Sequence, residues 1–367
     1  GRGGARGLRV APGLQGQVQP DKRGRMSKWS EVIDWLERAR HKLSPSDFMW
    51  LTPPGALAII LGFAFAKKPP GASAAAGAPE ALPEAAPEAT VDLSQRDPEL
   101  VELALDLFRS LGRHYFRLQI EGVHHVPASG PVMLVGNHNG AILPLDAMFT
   151  LVAVRDHLGP ERIVHPLSHD GIFFHPTVTR YANGLGVVKA SHAGSSAILG
   201  SGRVMLVYPG SDWEASRPFA ERGRIDFAGR KGFLRVALRH RVPIVPVVSV
   251  GTHEQLVILS RGERIARALR LPELMRTRTF PIALALPWGL SSGLLPYVPL
   301  PAQTTVAFGA PLRFEEIFPG ISAAAAQAEA PEALARGYDI VTARMQAMLD
   351  ELQAGRVPLL GKKKSAG

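Results

Sequence analysis

A histidine and an aspartate eight positions apart are the first residues in this sequence whose types and spacing could do chemistry. They lie in GNHNGAILPLDAMF, residues 136–149, directly after the apolar run PVMLV. His138 stands on a Gly/Asn-rich turn, and Asp146 follows Pro144, where a helix would begin. A carboxylate facing such a turn can hold one imidazole nitrogen and leave the other free to take a proton. Asn137 and Gly140, in the same turn, are candidate substrate contacts. A His and an Asp that merely cap a loop and a helix are the competing reading, and spacing alone leaves it open.

Three further segments place polar groups just after, or just before, apolar runs. In VMLVYPGSDWEASRPF, residues 204–219, a strand runs into a turn carrying Pro209, Gly210, Ser211, Glu214 and Arg217. Main-chain N–H groups at such a turn can cradle an anion or a carbonyl oxygen. In GRIDFAGRKGFLRVALRH, residues 223–240, Arg230 and Lys231 stand where a helix starts, against its dipole, as an anion nearby would explain. RVPIVPVVSVGTHE, residues 241–254, is a strand ending in Gly251, Thr252, His253 and Glu254. Ordinary loops with solvated charges are the bland alternative for each.

Other patterns read as chemistry only at first sight. Gly289, Ser291 and Gly293 match the spacing of a hydrolase nucleophile elbow, but they lie between prolines and read as a loop. His165, His169, Asp170 and His175 could suggest a metal site, yet Pro166 argues against the helix that would align the first two; no metal is expected. GKKKS near the end lacks the Gly-rich loop of a nucleotide site.

The elements that must position these residues alternate in kind. Residues 97–112 read as an amphipathic helix. Short apolar runs follow at 131–135, 162–167, 185–188, 204–208, 243–250 and 304–308, with helical stretches such as 229–240 between them and a closing helix at 331–353. That alternation predicts an α/β fold: a layered, largely parallel or mixed sheet flanked by helices. At 46% hydrophobic residues the chain can build a sizeable core. It has no cysteine, which excludes a thiolate nucleophile and Cys-based metal sites.

Ahead of this domain the composition shifts. Residues 1–27 read as a disordered basic extension, within which Met26 is a candidate natural start. Residues 28–68 read as a membrane-associating segment. An amphipathic helix at 28–43 is followed by an uncharged run, 48–66, closed by Lys67 and Lys68. Pro53 and Pro54 interrupt that run, so it reads as a short dipping or interfacial segment; a helix packed on the domain is the alternative. Residues 69–91 are a Pro/Ala/Glu-rich linker, 92–353 the main domain and 354–367 a basic tail. The net charge of +10 favours anionic partners, and without a nucleic-acid motif, lipid headgroups or a phosphorylated small molecule fit better than nucleic acid.

In this order and spacing, the four segments resemble the glycerolipid acyltransferase superfamily of the PlsC type, in the branch near diacylglycerol acyltransferases and phytyl-ester synthases. The resemblance covers roughly residues 97–315. It rests on GNHNGAILPLDAM, TRYANGLGVVKAS (179–191), VYPGSDWEASRPF with GRIDFAGRKGF, and VPIVPVVSVG, with PLPAQTTVAFGAPL (299–312) matching the strand that usually follows.

The resemblance implies an α/β acyltransferase domain in which His138 is the general base and Asp146 its partner. An acyl thioester, acyl-CoA or acyl carrier protein, is the donor, a lipid hydroxyl the acceptor, and no further cofactor is needed. It implies membrane association, peripheral or monotopic on the cytoplasmic face, with the bilayer and its lipids as partners. Oligomeric state is left open. The sequence departs from the family pattern in three places. Seven residues separate His138 from Asp146 where four are usual. The usual Phe-Pro-Glu-Gly reads Tyr208, Pro209, Gly210, Ser211, with Glu214 displaced. In the second block the nearest cation to the usual acceptor-phosphate Arg is Lys189. These departures keep a neutral acceptor open. A non-catalytic lipid-binding or membrane-tethering protein on the same fold, and a thioester or ester hydrolase, are the alternatives.

Overall fold

Asp97 starts the first long helix. Its carboxylate accepts the N–H groups of Glu99 and Leu100 at 2.9 and 3.1 Å, and Pro98 takes the first helical position. The computed structural model describes residues 91–169, 172–173, 176–275, 277–321 and 331–362, together with Trp35, Glu37 and Arg38. In chain order its elements are α1 (Pro98–His114), β1 (Gln119–Glu121), β2 (Val132–Gly136), α2 (Leu145–Leu158), β3 (Val164–Ser168), α3 (Pro176–Gly184), β4 (Val188–Lys189), α4 (His192–Gly200), β5 (Val204–Val207), α5 (Ser211–Ala215) and α6 (Gly232–His240). There follow β6 (Ile244–Val250), β7 (Val257–Ser260), α7 (Glu263–Ala268), α8 (Leu271–Met275), β8 (Ile282–Ala285), β9 (Gly289–Ser292), β10 (Thr305–Phe308), α9 (Phe314–Ile317), α10 (Pro331–Gln353), β11 (Arg356–Val357) and β12 (Gly361–Lys362).

The main sheet has the order β1-β10-β6-β2-β5-β3-β4. The five strands from β6 to β4 are mutually parallel; β10 runs antiparallel to β6, and β1 is parallel to β10. The sheet is therefore mixed, with its parallel part at the centre.

Strand alternation feeds two cores. On β2, Met133 and Val135 join one cluster, while Val132 and Leu134 join the other. On β6, Ile244, Val248 and Val250 face the first, and Val245 and Val247 the second. Helices α4, α6 and α10 cover the first face through Ile198, Leu234 and Met345; α2 covers the second through Phe149 and Ala153. Strands β2 and β6 are buried along their whole length, as parallel strands between two helical layers must be. Because β2, β5 and β6 are parallel neighbours, their carboxyl ends open at one edge of the sheet, and the polar turns read from the sequence all lie there.

Three sequence expectations are corrected. The run at 185–188 yields only the two-residue edge strand β4, because Leu185 and Gly186 complete the turn after α3. Residues 289–292 are not a loop but β9, one strand of a three-stranded antiparallel sheet, β7-β8-β9, that strand patterning did not reveal. Within the basic tail expected at 354–367, residues 356–362 are tied to the domain: β11 and β12 pair, and the Arg356 guanidinium meets the buried Glu254 carboxylate at 3.0 Å. The helix start expected at Arg230 and Lys231 is observed: Lys231 is the residue just before α6 and Gly232 the first helical residue.

The extension at 1–27, the uncharged run 48–66, the linker 69–91 except Val91, and residues 363–367 lie outside the described residues. Of the helix expected at 28–43, Trp35, Glu37 and Arg38 are helical. The Trp35 indole donates to the Leu103 carbonyl at 2.8 Å, and Arg38 pairs with Asp106 at 2.6 Å, so this turn contacts α1. Among the described residues no helix is long and apolar enough to cross a membrane.

Candidate active site

The turn after β2 is built from residues that hold one another. Asn137 is buried, and its amide is engaged on β6: Oδ1 accepts from the Ser249 N–H at 2.8 Å and Nδ2 donates to the Ser249 carbonyl at 3.1 Å. Asn139 donates to the Ser249 and Thr252 hydroxyls at 2.8 and 2.7 Å. Gly140 and Ala141 both take left-handed backbone, φ +86° and +50°, and the Leu143 N–H returns to the Gly140 carbonyl at 3.0 Å. Folding back on itself in this way, the seven-residue spacing still delivers Asp146 to His138. A Cβ on Gly140 would come 2.7 Å from the Leu143 carbonyl oxygen, so the position requires glycine.

His138 Nδ1 meets Asp146 Oδ2 at 2.9 Å. Asp146 is buried in the first turn of α2, and its carboxylate also accepts the N–H groups of Asn139 and Ala147, both at 2.8 Å. His138 keeps 19% of its side chain exposed, and among the described residues Nε2 has no hydrogen-bond partner. Burial pulls its pKa down, but the Asp146 charge and hydrogen bond outweigh burial, with Glu214 and Asp212 adding to them. The net shift is upward from 6.5. With Nδ1–H donated to Asp146, Nε2 carries the free lone pair.

Tyr208, at the end of β5, lies along the imidazole with ring centroids 4.8 Å apart. Gly136 makes this approach possible, because a Cβ there would overlap the Tyr208 ring. Burial and the Asp146 charge keep the Tyr208 phenol un-ionised, with its pKa well above the ordinary value.

The turn after β5 is equally tied. Pro209 and Gly210 are buried, and Ser211 is half-buried with a left-handed φ of +44°. Glu214 and Arg217 form a fully buried ion pair; the second Glu214 oxygen accepts the His138 N–H at 3.1 Å, and Arg217 also donates to the Arg224 carbonyl. Burial raises the Glu214 pKa against the opposing pull of Arg217 and two main-chain N–H groups. Arg230 donates to the Gly210 carbonyl at 2.7 Å and pairs with Asp212 at 2.8 Å. Burial pushes Asp212 up, but Arg230 and the other donors win, and its pKa is lowered.

The structure therefore brings His138, Asp146, Gly140, Pro209, Gly210, Ser211 and Glu214 to one edge of the sheet. The polar groups of Asn137, Glu214, Arg217 and Arg230, read from the sequence as candidate substrate contacts, are engaged within the protein, where they position the two turns. Lys231 is half-buried at the start of α6. Lys189 is exposed on β4, three strands from β2 or roughly 14 Å at sheet spacing, so it does not join the pair.

Sequence reasoning missed Tyr297, whose buried hydroxyl donates to the Gly140 carbonyl at 2.7 Å from 157 residues away, and no local signal could have found it. It also passed over Asn139 and Tyr208, which stand inside the quoted motifs. The metal reading has no support: His165 is buried in β3, with Nδ1 on the Gly186 carbonyl and Nε2 accepting from Arg203. Burial first, then the nearby Arg charges, lower its pKa to about 4. Among the described residues no group of acidic and imidazole side chains could hold a metal ion; Asp170 and His175 lie outside them.

Residues 117–250 match a family model described as Acyltransferase. An uncharacterised protein of Mycobacterium tuberculosis is 32% identical over 250 residues, 68% of this chain and 65% of that protein. One from Mycobacterium leprae is 30% identical over 268 residues, 73% of this chain and 69% of that protein. A chicken protein named as a DGAT1/2-independent enzyme synthesizing storage lipids is 26% identical over 186 residues, 49% and 54% of the two chains. The crystal structure of the 1-acyl-sn-glycerophosphate acyltransferase PlsC from Thermotoga maritima aligns at 15% identity and a TM-score of 0.43, covering 89% of this chain and 98% of that one. The chain spans 65% of the length of the M. tuberculosis relative.

Proposed function

The chain belongs to the acyltransferase family, and from that premise we propose that it transfers a fatty acyl group from an acyl thioester, acyl-CoA or acyl carrier protein, to the hydroxyl of a glycerolipid or related lipid, with His138 as base. The observation that carries this reading is the 2.9 Å contact between His138 Nδ1 and a buried Asp146, with Nε2 turned to no protein partner among the described residues. Nε2 takes the acceptor's proton as its oxygen attacks the thioester carbonyl carbon. The tetrahedral oxyanion collapses, the C–S bond breaks, and the departing thiolate takes the proton back from the imidazolium. The products are an ester and a thiol; no covalent acyl-enzyme forms and no cofactor enters. Asp146 fixes the tautomer and stabilises the imidazolium.

The acceptor we propose is a neutral lipid. Arg217 is engaged by Glu214 and Arg230 by Asp212 and the Gly210 carbonyl, and Lys189 lies on the far edge strand. These three cations are thus not committed to an acceptor phosphate beside His138, and the storage-lipid name of the chicken relative agrees with a neutral acceptor. Labelled acyl-CoA offered with diacylglycerol, a long-chain alcohol or a lysophospholipid, and products read by mass spectrometry, tests the assignment. Label in a neutral ester supports it. Label only in a phospholipid overturns the acceptor, and label only in free fatty acid would make the protein a hydrolase.

A further inference from the structure

The three-stranded sheet β7-β8-β9 is a plate with two unlike faces. Its inner face, formed by Ile258, Ala283 and Ala285 with Tyr297, packs on Ala141 and Leu143 of the His138 turn. Its outer face is apolar and exposed. Leu284 and Leu290 are register partners and are 47% and 68% exposed. Two residues after Leu284 and just past the end of β8, hence on the same side, Leu286 bridges Val298, and both stand out from the surface. Trp288, in the turn between β8 and β9, is exposed as well. A contiguous apolar face of this kind, with no hydrophobic element over it among the described residues, marks an interaction surface.

We infer that this outer face docks on the surface of a lipid bilayer that contains anionic lipids. Charge favours that occupant. Helix α7 begins three residues after β7 ends, beside the same sheet, and ERIARALR, residues 263–270, carries three arginines against one glutamate. Arg264, Arg267 and Arg270 are exposed there, interleaved with the exposed Ile265 and Leu269. Exposed leucines beside an arginine-rich helix, with a tryptophan at one end, are the side-chain set of an interfacial membrane contact: apolar groups enter the acyl boundary while cations stay at the phosphates. The inference rests on the proposed function for why a bilayer should lie here. Docked in this way, the plate would hold the His138 turn one layer, roughly 10 Å, from the bilayer, a short path for a lipid hydroxyl.

The test is sedimentation of the full chain with phosphatidylcholine vesicles containing phosphatidylglycerol, without acyl donor. The double variant Leu284→Asp and Leu290→Asp changes only exposed positions and should keep the wild-type melting temperature. Its vesicle partition should fall on the order of tenfold or more, as expected from placing two charges where leucines were buried in lipid. Wild-type binding should weaken with added salt. Tryptophan emission should be quenched by vesicles with brominated acyl chains, and less so in Trp288→Phe. Unchanged partition of the folded double variant overturns the inference, as does equal quenching in Trp288→Phe. A wild-type dimer that the double variant splits while vesicle binding persists would assign the face to a second copy. Cross-linking of residue 290 to the run 48–66 with vesicle binding persisting would assign it to that run. Either result overturns the bilayer. Lost docking is read apart from chemistry: transfer with unaltered vesicle binding in the double variant sinks this inference alone, and binding without transfer sinks the proposed function alone.

Discussion

The main-chain N–H of His138 donates to Glu214 at 3.1 Å, so the turn after β5 holds the turn after β2 from behind. Glu214 can do this because Arg217, fully buried beside it, balances its charge. Glu214→Gln leaves the Arg217 guanidinium buried without its counter-charge. The expected loss is about 3–5 kcal/mol of unfolding free energy, read by urea denaturation. A loss within experimental scatter of zero would mean that the pair does not hold the two turns together.

His138→Ala should leave the fold intact, since the side chain is partly exposed and stands on a turn rather than in either core cluster. The acyl-transfer rate should fall by at least ~10²-fold, the range for loss of a general base. Circular dichroism and melting temperature check the fold alongside the rate.

A base must be unprotonated to act, and Asp146 raises the His138 pKa above 6.5. The rate should therefore rise with pH through an apparent pKa above that value and be lost below it. The stability contribution runs the other way. The His138–Asp146 interaction is fully present below the unfolded-state pKa of histidine and fades as pH rises through the raised folded-state value. Asp146→Asn should shift the His138 titration down, followed by NMR of the imidazole protons, and still lower the rate through the wrong tautomer. An unshifted titration would separate Asp146 from this role.

Gly136→Ala puts a methyl group into the Tyr208 ring. Overpacking of this kind costs ~1–3 kcal/mol. It should also displace the ring that lies along His138. Adding Tyr208→Leu should recover part of the stability, and the double-mutant cycle measures that coupling. Additive losses would show that the two positions do not meet.

Strands β2, β5 and β6 were legible because strands buried on both faces read as continuous apolar runs, and α10 was legible because its apolar residues recur at helical spacing over its whole length. The pairing of His138 with Asp146 could be raised from one turn and one proline-marked helix start, but spacing alone left a loop and helix cap as the competing reading, and the family resemblance carried it further. The roles of Glu214, Arg217 and Arg230 were not: sequence shows a charge beside a turn but not which buried partner meets it. The small sheet escaped because Ala283 and Ala285 alternate with exposed leucines rather than with polar residues, so its strands lack the usual inside-outside pattern. Tyr297 and Arg356 reach the site region only through the tertiary fold.

Whether His138 drives acyl transfer to a lipid hydroxyl is decided by one measurement. Purified full chain and its His138→Ala variant are given carbon-13-labelled acyl-CoA with vesicles carrying diacylglycerol, and the lipids are read by mass spectrometry. The wild type should give labelled triacylglycerol with stoichiometric release of coenzyme A, and the folded variant at least ~10²-fold less. Equal labelled ester from both proteins would contradict it.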